Sequence, residues 1–158
     1  MTLTIRRVVT GHDATGRAIV KIDEVAKNAT SGRPGAQGLV VWSTNSMPAD
    51  NTDESDGGQR KVATSHDSGT VFRILQLDPG VAPRNHRTDS IDYAVVLSGE
   101  VDMVLDGTTV HLKAGDALVQ RGTIHDWVNP GTVPCVIAFV LVAAKSVTVG
   151  GKTLPAQG

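Results

Sequence analysis

The stretch GVAPRNHRTDSIDYAVVLSG, residues 80–99, decides the fold together with GDALVQRGTIHDWVN, residues 115–129. Each carries one histidine, His86 or His125, beside a run of valine, isoleucine or leucine bounded by glycine-containing turns. Between the two stretches, Asp106-Gly107 separates the apolar runs 101–105 and 109–112 and signals a two-residue type I′ hairpin. Working outward, strand-like runs occupy 71–77, 93–97, 117–120, 124–128 and 136–143, with breakers at Ser98-Gly99 and Ala114-Gly115-Asp116. Short strands recurring about every eight residues, with no stretch of helical period, predict a β-sandwich or barrel. An α/β fold would need helical crossovers, and the chain has no room for them.

Further toward the N-terminus the pattern loosens. Residues 3–9 (LTIRRVV) and 17–22 (RAIVKI) are strand-like around a turn-rich segment, 11–16, and form either a hairpin or an arm for a partner subunit. Residues 25–38 are polar, with Gly32, Pro34 and Gly35, and read as loop; 38–44 (GLVVWST) read as a short buried strand. Residues 45–69 hold Pro48 and the acids Asp50, Asp53, Glu54, Asp56 and Asp67. They read as a long exposed loop, either a lid over a pocket or a mobile connection.

Composition sets the outer bounds. A chain of 158 residues suits one domain, and 40% hydrophobic residues can fill one core. Aromatics make up only 3%, so branched aliphatic residues must fill it, which favours strands. A net charge of -1 without a basic block excludes nucleic-acid binding through phosphate neutralisation. Cys135, the one cysteine, excludes an internal disulfide and suits a reducing cytoplasm. The opening residues lack the apolar run of a signal peptide, and no segment is apolar enough to span a membrane. A cytoplasmic location is therefore expected.

Alternation of side chains along a strand places the candidate site. If residues 85–96 are extended, His86, Thr88, Ser90, Asp92, Ala94 and Val96 share one face, and the alanine and valine turn that face inward. The same period groups His125, Trp127 and Asn129. Two imidazoles and a carboxylate then converge in an apolar cavity, a donor set for iron, zinc, nickel or manganese. The expected ligands of one divalent transition metal are His86, Asp92 and His125. Asp92 has a second reading, as a buried carboxylate paired with Arg84 or Arg121 or as a group orienting a histidine. Asp89, the rival carboxylate, points outward on this period. Arg84 and Arg121 are candidate anchors for a substrate carboxylate or phenolate, with a solvated charge as the alternative. Trp127 either lines the pocket or packs in the core. His12, His66 and His111 read as surface residues, Tyr93 as an outward or subunit-contact residue, and Cys135 as a small apolar filler.

These residues resemble the two motifs of the cupins, small jelly-roll barrels. On the first, G-x5-H-x-H-x3-E-x6-G, Gly80, His86 and Gly99 fall without insertion; Thr88 replaces the second histidine and Asp92 the glutamate. On the second, G-x5-P-x-G-x2-H-x3-N, Gly115 takes the first glycine and Arg121 stands at the proline. Gly122 comes one residue early, and His125 and Asn129 close the motif. H-R-T-x-S-x-D-Y and V-Q-R-G-T-x-H, with R-R-V-V-T-G-H-D near the N-terminus, look like a narrower group of bacterial and fungal single-domain cupins. Some fungal members of that group are assigned as oxidoreductases. The resemblance implies an all-β double-stranded β-helix with its barrel core over 70–144. Residues 1–69 would belong to the same domain and 145–158 would form a tail.

The expected function is that of a metal-dependent enzyme acting on a small aromatic or carbonyl-bearing molecule, with dioxygenase-type oxidoreductase chemistry first. Thr88 would then hold a water or substrate beside the metal. A redox-neutral decarboxylase, isomerase or dehydratase is the second reading and a non-catalytic small-molecule binding module the third. A homodimer is expected, because a partner's N-terminal strand can cover an open sheet edge.

Overall fold

A computed structural model describes residues 3–64 and 66–158. Every regular element in it is a strand. The first two, β1 (Arg6–His12) and β2 (Ala18–Val25), form a hairpin of their own. Next come β3 (Thr30–Arg33), β4 (Ala36–Ser43) and β5 (Thr70–Leu77), then β6 (Ser90–Ser98), β7 (Glu100–Leu105), β8 (Thr108–Lys113) and β9 (Ala117–Arg121). The short β10 (Asp126–Val128) and the long β11 (Cys135–Ala143) follow, and β12 (Val147–Val149) and β13 (Lys152–Leu154) make a terminal hairpin. All pairings are antiparallel. The order β3-β4-β5-β11-β6-β9 makes a six-stranded sheet, and β10-β7-β8 make a three-stranded one.

The two sheets enclose the main core. Val71 and Leu77 of β5, Ala94 and Val96 of β6, and Ile137, Phe139 and Leu141 of β11 meet Val101 and Met103 of β7 and Trp127 of β10. Burial alternates without a break from His86 to Val96, as the inward face read from the sequence requires. A second cluster lies on the outer side of the six-stranded sheet, where Leu3 and Ala26 cover Leu39 and Ile74. β4 is thus an internal strand of the six-stranded sheet, between β3 and β5.

Three local expectations are corrected. Residues 25–38 are not all loop: Pro34 and Gly35 turn between β3 and β4, with Gly35 at φ +76. β3 is an exposed edge strand of Thr, Ser, Gly and Arg, so it carries no hydrophobic alternation to betray it. The hairpin at Asp106-Gly107 forms where expected, but only Gly107 takes a positive φ, +77. A type I′ turn needs positive φ at both central residues, so this turn is not type I′. Finally, the strand expected over 124–128 shrinks to Asp126–Val128, and His125 is held by an isolated bridge.

Candidate functional site

The site is built on that bridge. His86 and His125 lie directly opposite each other, and each backbone N–H donates to the other's carbonyl at 2.9 Å. Residues opposed in this way put their side chains on one face. The two imidazoles are accordingly neighbours, with ring centroids 4.2 Å apart. Gly122, at φ +62, makes the turn that leads into this segment, and a Cβ there would meet Val147 at 2.8 Å. Arg84 is pinned as well, because its backbone N–H donates to Asp126 Oδ1 at 2.9 Å.

Each ring is oriented by the same local device. His86 Nδ1 lies 2.9 Å from the Arg84 carbonyl, and His125 Nδ1 lies 3.0 Å from the Thr123 carbonyl. A carbonyl only accepts, so Nδ1 carries the proton in both rings and each Nε2 keeps its lone pair. Burial holds both rings neutral. It lowers the pKa of His86, and it lowers that of His125 to about 4, with the neighbouring His86 adding to the effect. Neutral imidazoles with fixed tautomers and free Nε2 atoms have the protonation state of metal-ligating histidines.

The pair opens on a cavity of about 760 Å³ that Thr88, Asp92, Trp127 and Arg84 also line. Trp127 packs edge-on to His125 at 5.7 Å and to Phe139 at 5.6 Å, so it serves cavity and core at once. Asp92 does not join the histidines: among the described residues, no three His, Cys, Asp or Glu side chains gather closely enough for one metal ion. Its Oδ1 instead accepts from Ser90 Oγ at 2.5 Å, and Ser90 Oγ lies 2.9 Å from Thr88 Oγ1. Burial raises the Asp92 pKa, against the Ser90 hydrogen bond and the charge of Arg73. The arginine facing Asp92 is therefore Arg73, not Arg84 or Arg121.

A family model described as Cupin domain matches residues 73–142. Phomopsin biosynthesis cluster protein C' of Diaporthe leptostromiformis is 37% identical over 96% of this chain and 85% of its own length. The cupin-domain-containing oxidoreductase fogC of Aspergillus ruber is 35% identical over 94% of this chain and 77% of its own. The chain belongs to the cupin family. Its fold also matches that of a Klebsiella pneumoniae protein with a double-stranded β-helix domain, at a TM-score of 0.52 and 19% identity, over 84% of this chain and 93% of that one.

Other expected positions in this cupin divide cleanly. Arg121 is exposed and does not line the cavity; alternation along β9 turns Gln120 inward and Arg121 out. Asn129, the last residue of the second motif, is a buried brace whose amide donates to the Leu77 and Val133 carbonyls while its Oδ1 accepts from Gly131 N–H. His12 and His111 are exposed as expected, whereas His66 is half-buried. The loop before β5 is no free connection, since Gly58 to Thr64 form part of the cavity wall. Arg33, Arg60, Lys61 and Arg73 also line the cavity and went unread in the sequence. Arg73 was legible, because it shares the inward row of β5 with Val71, Leu75 and Leu77. Arg33 carried no such signal, standing in a segment that reads as loop.

Proposed function

We propose that this cupin is a metal-dependent oxidoreductase acting on a small aromatic or carbonyl-bearing molecule bound in the cavity. The observation that carries the reading is the opposed pair His86 and His125, buried, neutral and presenting two free Nε2 atoms. The oxidoreductase names of fungal relatives that align along most of this chain support the redox assignment. The residues present fit a divalent transition metal: His86 and His125 would hold it, and Asp92 stands apart, engaged by Ser90. When bound, such an ion supplies Lewis acidity and, if redox-active, one-electron chemistry toward dioxygen. The chain's own groups do the rest. Trp127 and Phe139 give a ring-bearing substrate an apolar wall, Arg84 offers a cation beside the histidines, and Thr88 offers a hydroxyl.

One observation favours a second reading, redox-neutral decarboxylation, isomerisation or dehydration. Asp92, left outside the histidine pair and raised in pKa by burial, is a proton acceptor at the cavity wall that such chemistry needs. The test separates the two. We expect near one transition metal per chain after reconstitution and loss of most of it in His86→Ala and His125→Ala. Unchanged metal content in both variants would remove the site. With catechols, β-dicarbonyls and hydroxylated aromatic acids, product formed at the aerobic rate under strict anaerobiosis would favour the redox-neutral reading.

A further inference from the structure

The cavity holds more positive charge than the protein neutralises. Arg33 at the end of β3, Arg73 in β5 and Arg84 before His86 all line it. Asp92 is the only acid among the described lining residues, and it is engaged by Ser90. Arg60, a further lining residue, is matched by Asp53. Arg33 and Arg73 have no such ion pair among the described residues. Arg84 Nη2 donates to Thr64 Oγ1 and to Gly158 O, both at 3.0 Å, and Arg73 Nη2 donates to the neutral Ala63 carbonyl at 2.9 Å. Burial disfavours the charged forms of Arg33 and Arg73. Asp126 and Asp92 offset this from a distance, and the charge of Arg84 adds to the penalty on both.

Donors are left over as well. Nε and Nη2 of Arg33 and Nε of Arg73 are shielded from water and have no acceptor among the described residues. Leaving a buried donor unmade is costly, and a charged one more so. Nε and Nη2 form one edge of the guanidinium, the edge that takes both oxygens of a carboxylate. The same chain shows this grip at its surface, where Arg6 Nε and Nη2 each reach one Asp23 oxygen at 2.7 Å. On Arg33 that fork has no carboxylate to hold.

We propose that the ligand of this cavity is an organic carboxylate, anchored by the Nε–Nη2 edge of Arg33 with Arg73 and Arg84 as flanking counter-charges. A turn of the flexible Arg33 side chain brings the fork to the incoming group. Beyond the arginines the wall is apolar, with Leu75, Phe139 and Trp127, so the rest of the molecule is an aryl or alkyl body. The inference rests on the cavity being the substrate site, and it does not require the metal.

The experiment uses the full chain stripped of metal with a chelator and titrated calorimetrically with matched acids and amides: benzoate and benzamide, salicylate and salicylamide, phenylacetate and phenylacetamide. The acids should bind about tenfold or more tightly than their amides, as a charge-assisted two-pronged hydrogen bond outweighs a neutral one. Arg33→Gln should abolish most of that preference while leaving the amides unchanged. Arg33→Lys, which keeps the charge and loses the fork, should retain part of it. Equal binding of acid and amide in every pair, or no binding of any acid, would overturn the proposal. So would an acid preference that survives Arg33→Gln, or displacement of salicylate by inorganic phosphate at equal concentration. Acid preference in a protein whose two histidine variants hold as much metal as wild type would refute the metal reading alone. Metal uptake without acid preference would refute the carboxylate alone.

Discussion

Arg7→Ala should weaken the fold and loosen one wall of the cavity, although Arg7 does not line it. Arg7 is buried in β1 and ties three segments together. Its Nε and Nη2 donate to Glu24 of β2 at 2.9 and 2.7 Å. Its Nη1 and Nη2 grip Asp56 in the long loop at 2.8 and 2.5 Å, and Nη1 also reaches the Val41 carbonyl of β4 at 3.4 Å. Asp56 in turn accepts from the Gly58 N–H at 2.8 Å, the first residue of the loop's cavity-lining run. Breaking a buried ion pair by removing one partner costs about 3–5 kcal/mol. Asp56 and Glu24 are partly exposed and can rehydrate, so the lower figure of about 2–3 kcal/mol applies here. Arg7 and its hydrogen bonds hold the Asp56 pKa below the ordinary carboxylate value. A carboxylate lowered in the folded state contributes stability above its unfolded pKa and loses it as pH falls through the folded one. Wild type should therefore lose stability on acidification below about pH 5, and Arg7→Ala should lose less over the same range. Urea denaturation at neutral and acid pH measures both. A loss under about 1 kcal/mol at neutral pH, or an unchanged acid slope in the variant, would refute the reasoning.

Three further outcomes are expected. Asp126→Ala should weaken metal binding about tenfold without touching a ligand, because Asp126 holds Arg84, whose carbonyl orients His86; competition against a chelator measures it. Thr88→His adds an imidazole to the inward row beside His86 and should slow metal loss to a chelator while lowering turnover of substrates that bind through two oxygens; faster metal loss would count against the row's orientation. We also propose a homodimer that buries the bare outer face of β6 and β9, where Tyr93, Val95, Leu97 and Val119 are exposed. Tyr93→Glu should then shift the particle to half its mass in sedimentation, and a monomeric wild type would refute it.

The features legible in the sequence were those set by period two. Ala94 and Val96 at the end of the row from His86 fix which face turns inward, so that His86, Thr88 and Asp92 are legible as cavity residues, while Trp127 reads equally as lining or core. Arg121 failed on the same rule: its nearness in sequence to His125 outweighed the parity of its neighbour Gln120. The polar edge strand β3 carries no apolar alternation to read, and Arg33 is hidden with it. Period two gives a side and not a reach, which is where the reading of Asp92 stopped. It shares a face with His86 but lies six positions further along the row, and Ser90, two residues before it, takes up its oxygen. What separates the histidine pair from Asp92 is the pairing across strands. His86 and His125 are opposed residues of one bridge, whereas Asp92 stands opposite Gln120 and Leu141 in the six-stranded sheet, where β6 runs between β9 and β11. The bridge brings the two imidazoles together, and the sheet interior sets the carboxylate apart from them.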